Sequence, residues 1–329
     1  MTVRHFCTYF DHNYLPRGMV MLESLREHCP HAHVHVLCLS EQCYAALTKL
    51  AYPHVSLVRL VDLEAADPEL AATRSTRSLV EYYFTITPCL PWYLLTRGNP
   101  LDQVTYLDAD MMFFSSPEPI FVEAADASVI ITPHRFSKHL SDLVKYGIYN
   151  VSWITFCRTM EGMKCLSWYR KSCLSWCKDE VEENRFADQK YLDDFPHLFS
   201  KVHAICHKGA GAAPWNLSDA HISSINFVPA IDGEQLIFYH AHGFKHICGP
   251  LYSSGLLGYD SLGNVSAIEN IVEPYTKKYS SAVHTTKKVI DLSSFVGVRQ
   301  EQKRMRTFLR TCKNTLREWR RKSLVILWS

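Results

Sequence analysis

The stretch Val104-Thr-Tyr-Leu-Asp108-Ala-Asp110-Met-Met-Phe-Phe114 decides how the chain is read. It opens as an apolar, β-branched and aromatic run, the composition of a buried strand. It then carries two carboxylates at i and i+2, which in extended chain point to the same face. Two like charges at the end of a buried strand repel each other and cost desolvation. A divalent cation held by oxygen ligands relieves both, and such a cation can neutralise a diphosphate as it departs. A solvated strand end with two ordinary acids is the plain reading. Asp108 and Asp110 gain weight from their place, because open α/β sheets bind ligands at the carboxyl ends of their strands.

The same rhythm extends toward the N-terminus. Val3 to Phe10 reads as a strand, Arg17 to His28 as a helix, Val34 to Leu39 as a second strand, and Val55 to Leu60 as a third. Ser40 suits the N-cap of the helix between the last two. Three β-α steps in about sixty residues predict a doubly wound, mostly parallel α/β sheet. No G-x-G-x-x-G follows the first strand, which disfavours a dinucleotide dehydrogenase. The first turn offers Tyr9, Asp11 and Asn13 instead; Asp11 can accept a hydrogen bond from a ligand or simply shape the turn.

Composition sets the outer limits. The chain has 329 residues, is 47% hydrophobic and 21% charged, and carries a formal net charge of +2. That is an ordinary globular balance with no field for nucleic acid. No apolar run is long enough to span a bilayer, and no secretory signal pattern opens the chain. The 12 cysteines lack C-x-x-C pairs. A reducing cytoplasm is therefore expected, with thiols serving as small apolar side chains. Cys165, Cys173 and Cys177 share a helical face, which reads as core before zinc.

Tyr106-Leu-Asp-Ala-Asp110, followed by Met-Met-Phe-Phe-Ser-Ser-Pro, resembles the D-x-D segment of nucleotide-sugar glycosyltransferases of the GT-A fold, most nearly the glycogenin and lipopolysaccharide galactosyltransferase group, family eight. The resemblance runs from about Val3 to Lys245. Lys145-Tyr-Gly-Ile-Tyr-Asn150 matches a loop whose asparagine holds the donor sugar. Phe186-Ala-Asp188-Gln189-Lys-Tyr-Leu192 matches a D-Q-x-x-L segment. There the resemblance gives Asp188 the sugar hydroxyls and places Gln189 beneath the anomeric carbon. An amide is a poor nucleophile, so dipolar stabilisation is the expected role for Gln189. His240-Ala-His-Gly-Phe-Lys245 resembles the terminal H-x-x-G-x-x-K motif, with Lys245 one residue early. It implies His240 as the third metal ligand and Lys245 against the diphosphate, with His242 a rival ligand. An O/N donor set of Asp108, Asp110 and His240 suits Mn2+ or Mg2+.

Lys208 is a candidate point charge for phosphate. Trp215 is a candidate stacking surface for sugar, though core packing accounts for it equally. His134 and Arg135 are candidates for the acceptor side. The family's arginine in the helix before the metal strand has no counterpart; Arg74 and Arg77 are the nearest cations.

The expected organisation is a catalytic domain over 1–248, an irregular extension over 249–298, and a basic amphipathic helix over 299–329. Ten basic residues between Arg299 and Lys322 face two acids there. Such a helix docks on the domain or lies on an anionic bilayer surface. The resemblance implies a metal-dependent hexosyltransferase, retaining, using a nucleoside diphosphate sugar (UDP-hexose favoured) and a glycan or lipid-linked acceptor. Cell-surface polysaccharide assembly at the inner face of the membrane is the expected setting. A sugar nucleotidyltransferase and a non-catalytic nucleotide-sugar binder are the competing expectations. The first is weakened because Tyr9 to Arg17 lacks a Gly-rich arginine loop.

Overall fold

The computed structural model describes residues 3–261 and 263–290, and the backbone of Leu324–Ile326. The first three β-α steps stand as expected: β1 (Arg4–Phe10), α1 (Leu15–His28), β2 (Ala32–Cys38), α2 (Glu41–Leu50) and β3 (Val55–Arg59). The Ser40 side chain accepts from Cys43 N at 3.3 Å, so the cap read from the sequence is made. Further on come β4 (Gln103–Leu107), β5 (Met111–Phe113), β6 (Val129–Pro133), β7 (Tyr149–Cys157) and β8 (Val202–Ala204). The main sheet runs β3-β2-β1-β4-β7-β6-β8. Only β7 opposes its neighbours in that sheet, pairing antiparallel with both β4 and β6. This is the doubly wound, mostly parallel α/β sheet expected.

Each sheet face carries its own apolar core, as a doubly covered parallel sheet requires. One holds Phe6, Val34, Val36 and Trp153 beneath α1 and the helix Glu273–Val289. The other holds Cys7, Tyr106 and Ile154 beneath the helices Leu79–Thr96 and Met160–Ser175. Cys165, Cys173 and Cys177 are fully buried in this second core, so the core reading of the cysteine face holds.

Three expectations are corrected, and a fourth falls mostly outside the described residues. The sequence reads as helical from Arg74 to Leu95 with an interruption between Pro88 and Pro91, yet the helix Leu79–Thr96 passes unbroken through both prolines. Each proline forfeits a hydrogen bond, at about 3 kcal/mol in an exposed helix, but here both prolines are buried with Ile86, Cys89 and Leu90. The segment from about Ala187, whose Asp188 suits the first turn of a helix in the sequence, is instead a 3-10 turn beginning at Gln189. The extension over 249–298 is not irregular where it is described: Leu251–Ser253 pairs with Lys245–Cys248, and residues 265–289 are helical. Tyr275, Tyr279 and Ala282 bury one face of that helix against the first core, although the local text is too polar to read as amphipathic. Finally, the basic helix expected over 299–329 lies outside the described residues except at its end. There Leu324–Ile326 is a strand paired with Leu251–Ser253. Among the described residues no helix is long and apolar enough to cross a membrane.

Candidate active site

β4 delivers Asp108 and Asp110 to the carboxyl end of the sheet. The chain then turns into β5, which leaves the main sheet and pairs antiparallel with the strand Phe238–His240. His240 stands opposite Met111, and Ala241 N donates to Asp110 O at 2.8 Å. This pairing brings together residues 130 positions apart. His240 Nε2 lies 3.1 Å from Asp110 Oδ1 and 3.7 Å from Asp108 Oδ2. His242 joins them: one ligand atom each from Asp110, His240 and His242 lie within 4.8 Å of one another.

The electrostatics are those of a site built for positive charge. Burial pushes Asp108 up to about 6, with His240 opposing and Asp110 adding to the rise. Burial would also raise Asp110, but the charge and hydrogen bond of His240 outweigh it and hold Asp110 well below the usual carboxylate range. His240 Nδ1 is buried without a protein partner. Two half-buried carboxylates and two imidazoles, one of them with an orphaned ring nitrogen, form an O/N donor set that fits a divalent cation.

A cavity of about 840 Å3 opens over this group, within the usual size of a small-molecule site. Tyr9, Asp11, Asp108, Asp110, Asn150, Asp188, Gln189, Trp215 and His240 all line it. Asn150 is buried at the start of β7. Its Nδ2 lies 3.1 Å from both Gln189 Oε1 and His134 Nε2. Gln189 Nε2 in turn donates to Tyr146 O at 3.0 Å. The amide of Gln189 is thus held at both ends, an oriented dipole. Ala187 takes φ +47, an uncommon conformation for a non-glycine residue. It precedes the fully enclosed Asp188, whose carboxyl burial raises to about 7; a hydrogen bond from Thr87 opposes the rise and Asp108 adds to it. Tyr9 Oη lies 2.9 Å from Thr87 Oγ1.

Other expected residues sit elsewhere or act differently. Lys208 lies on a separate cleft of about 220 Å3 with Arg135 and Lys138. Arg135 donates to the carbonyls of Ile205, His207 and Ala210, so it braces a loop and is not free for an acceptor. Lys245 is exposed on the strand after the histidines, where its charge is felt by His242. Trp215 is buried, donates Nε1 to His134 O, and sets its ring edge-on to His240 and His242. Asp11 is occupied by its own turn, accepting from Asn13 N and Tyr14 N. Arg74 pairs with Glu64, and Arg77 donates to Thr85 Oγ1, Cys177 O and Leu174 O; neither reaches Asp108. A cation near the acids among the described residues is Arg17, which with His240 and His242 depresses Asp110 and donates to Phe244 O at 2.9 Å. Its signal was a lone cation in the first turn of the helix leaving β1. Tyr106, which donates to Asp108 Oδ1 at 2.9 Å, was legible from its i−2 spacing on the same strand face.

No family model matches the chain. Two proteins of Bacillus subtilis (strain 168), both named as uncharacterized, are similar along most of its length. YfnD is 30% identical over 278 residues, 84% of this chain and 88% of YfnD. YfnF is 31% identical over 248 residues, 73% of this chain and 81% of YfnF. The chain belongs to the family of YfnD and YfnF. Its architecture is that of the galactosyltransferase LgtC, solved in complex with donor and acceptor sugar analogs: TM-score 0.52, 15% identity, covering 84% of this chain and 95% of LgtC. This member of the YfnD family therefore has the GT-A glycosyltransferase fold and resembles the LgtC group within it.

Proposed function

We propose that the chain is a divalent-cation-dependent glycosyltransferase that moves a hexose from a nucleoside diphosphate sugar to a hydroxyl acceptor. One observation carries the reading. Asp108, Asp110, His240 and His242 converge at one wall of the same cavity that Asn150, Asp188 and Gln189 line. Asp110, His240 and His242, with Asp108 beside them, would hold the cation, Mn2+ or Mg2+, which when bound supplies positive charge against a departing diphosphate. The residues of the chain do the rest. Asp188 and Asn150 take the sugar hydroxyls as hydrogen-bond partners. The Gln189 amide, held by Asn150 and Tyr146 O, presents a fixed dipole to positive charge developing at the anomeric carbon, where preorganised dipoles act without reorganisation. The aromatic wall of Tyr9, Tyr83 and Phe84 suits the base of the nucleotide. Lys245 remains the candidate cation for the outer phosphate. A UDP-hexose donor, a retaining outcome and a glycan or lipid-linked acceptor in cell-surface polysaccharide assembly are the finer readings proposed with it.

The test is a thermal-shift screen of nucleotide sugars with and without Mn2+, followed by turnover of the best donor. A true donor raises the melting temperature only with the cation present, since ligands that bind the folded state stabilise it. Asp110→Asn then loses both the cation-dependent shift and turnover. Turnover at the parent rate in that variant would remove the metal role. Anomeric configuration of the product, read by NMR, decides between retention and inversion.

A further inference from the structure

The amino-terminal end of the sheet carries three imidazoles that the proposed reaction does not use. His5 lies on β1, and His33 and His35 lie on β2, at i and i+2. The two strands pair in parallel with His5 opposite His33, so all three rings project from one face. Their ring centroids are 5.0, 5.5 and 5.8 Å apart. His5 Nδ1 and His35 Nε2 approach to 3.3 Å. That is about the separation of two nitrogens on one tetrahedral zinc ion with Zn–N of about 2.0–2.1 Å. All three residues are half-buried, open enough for an ion to enter.

We propose that His5, His33 and His35 form a binding site for a transition-metal dication of the zinc class, separate from the acidic site at the other end of the sheet. Three imidazoles with water completing the shell is an established zinc donor set. His33 Nε2 lies 2.8 Å from Ser56 Oγ, so full ligation requires that ring to leave the serine and turn toward the other two. Their location also asks for an explanation, because parallel strands covered on both faces are ordinarily apolar. Burial, with the neighbouring imidazoles adding at His5 and His35, holds all three rings below their usual titration range and His35 at about 4. They are neutral near pH 7, the state that binds metal. Asp11 lies six positions after His5, just past the end of β1, about 20 Å at strand rise, so an ion here would join β1 to β2 and stay clear of the cavity.

Equilibrium dialysis of the full chain against Zn2+ alone, with bound metal counted by atomic emission, tests the site. His5→Gln and His35→Gln should each hold one ion fewer per chain than the parent. Asp110→Asn should keep the ion that those variants lose. Co2+ added to Asp110→Asn should give visible d–d bands, reduced tenfold or more when His5→Gln is added. Parent-level zinc in both histidine variants overturns the proposal, as does an Asp110→Asn chain that holds no ion at micromolar Zn2+. Should His35→Gln lose its far-UV circular dichroism, His5→Gln decides by itself, because it sits at the half-buried start of β1.

Discussion

Asp188 shows how much a single enclosed carboxyl can weigh. Its acid form is the one the fold favours, since burial raises it to about 7. The stability this contributes is complete below the ordinary carboxyl range and is lost as pH rises toward 7, in total on the order of 4 kcal/mol at about 1.4 kcal/mol per unit. Asparagine mimics the acid form. In metal-free buffer, urea unfolding should find Asp188→Asn close to the parent near pH 4 and more stable than it at pH 8; an equal difference at both values would refute the assignment. Gly209 belongs at this scale too. It sits in the small-residue loop His207-Lys-Gly-Ala-Gly-Ala-Ala-Pro214, where a Cβ would overlap the carbonyl oxygen of Gln235. The close neighbour is another segment's backbone. Gly209→Ala should destabilise by about 3 kcal/mol, the upper range for overpacking, measured by the urea midpoint.

Among elements, the helix Leu79–Thr96 is the instructive case. Its start was readable: Ser78-Leu-Val-Glu81 is a capping-box pattern, and both reciprocal bonds form. Its continuity through two prolines was not, because the burial that tolerates them depends on neighbours distant in sequence. Arg77, just before it, ties this helix to the end of Met160–Ser175 through Leu174 O and Cys177 O. Charged hydrogen bonds of this kind contribute about 1.5–3 kcal/mol. Arg77→Met should therefore lower stability by about 2–3 kcal/mol in urea unfolding while leaving nucleotide-sugar affinity unchanged in calorimetry. A loss of affinity at unchanged stability would instead assign Arg77 to the nucleotide-sugar site.

At the scale of the whole molecule, two apolar cores share one sheet, and thiols report on both. Cys29, Cys38 and Cys43 are buried in the first, and Cys7, Cys89, Cys165, Cys173 and Cys177 in the second. Cys206 and Cys248 are exposed. Brief alkylation of the native chain, mapped by mass spectrometry, should label these two and spare the eight, which become reactive together across the unfolding transition if the sheet couples its faces; labelling of one core before the other would show separate units. The β-α alternation, the strand leading into Asp108 and Asp110 and the Ser40 cap were legible in the sequence, since strand alternation, buried apolar runs and caps are local signals. So was the candidacy of Asn150, Asp188 and His240, through short motifs in order. What chain order could not supply was company. His242 beside Asp110 follows from where β5 leaves the sheet to pair with Phe238–His240, whereas Arg17 near Asp110, Arg77 as a brace and Lys208 on a different cleft follow from other contacts between segments distant in the chain. Local pattern determines which segments become strands and helices, because it depends on neighbours a few residues away. Which charges meet depends on pairing across a hundred residues or more, and only the folded chain decides that.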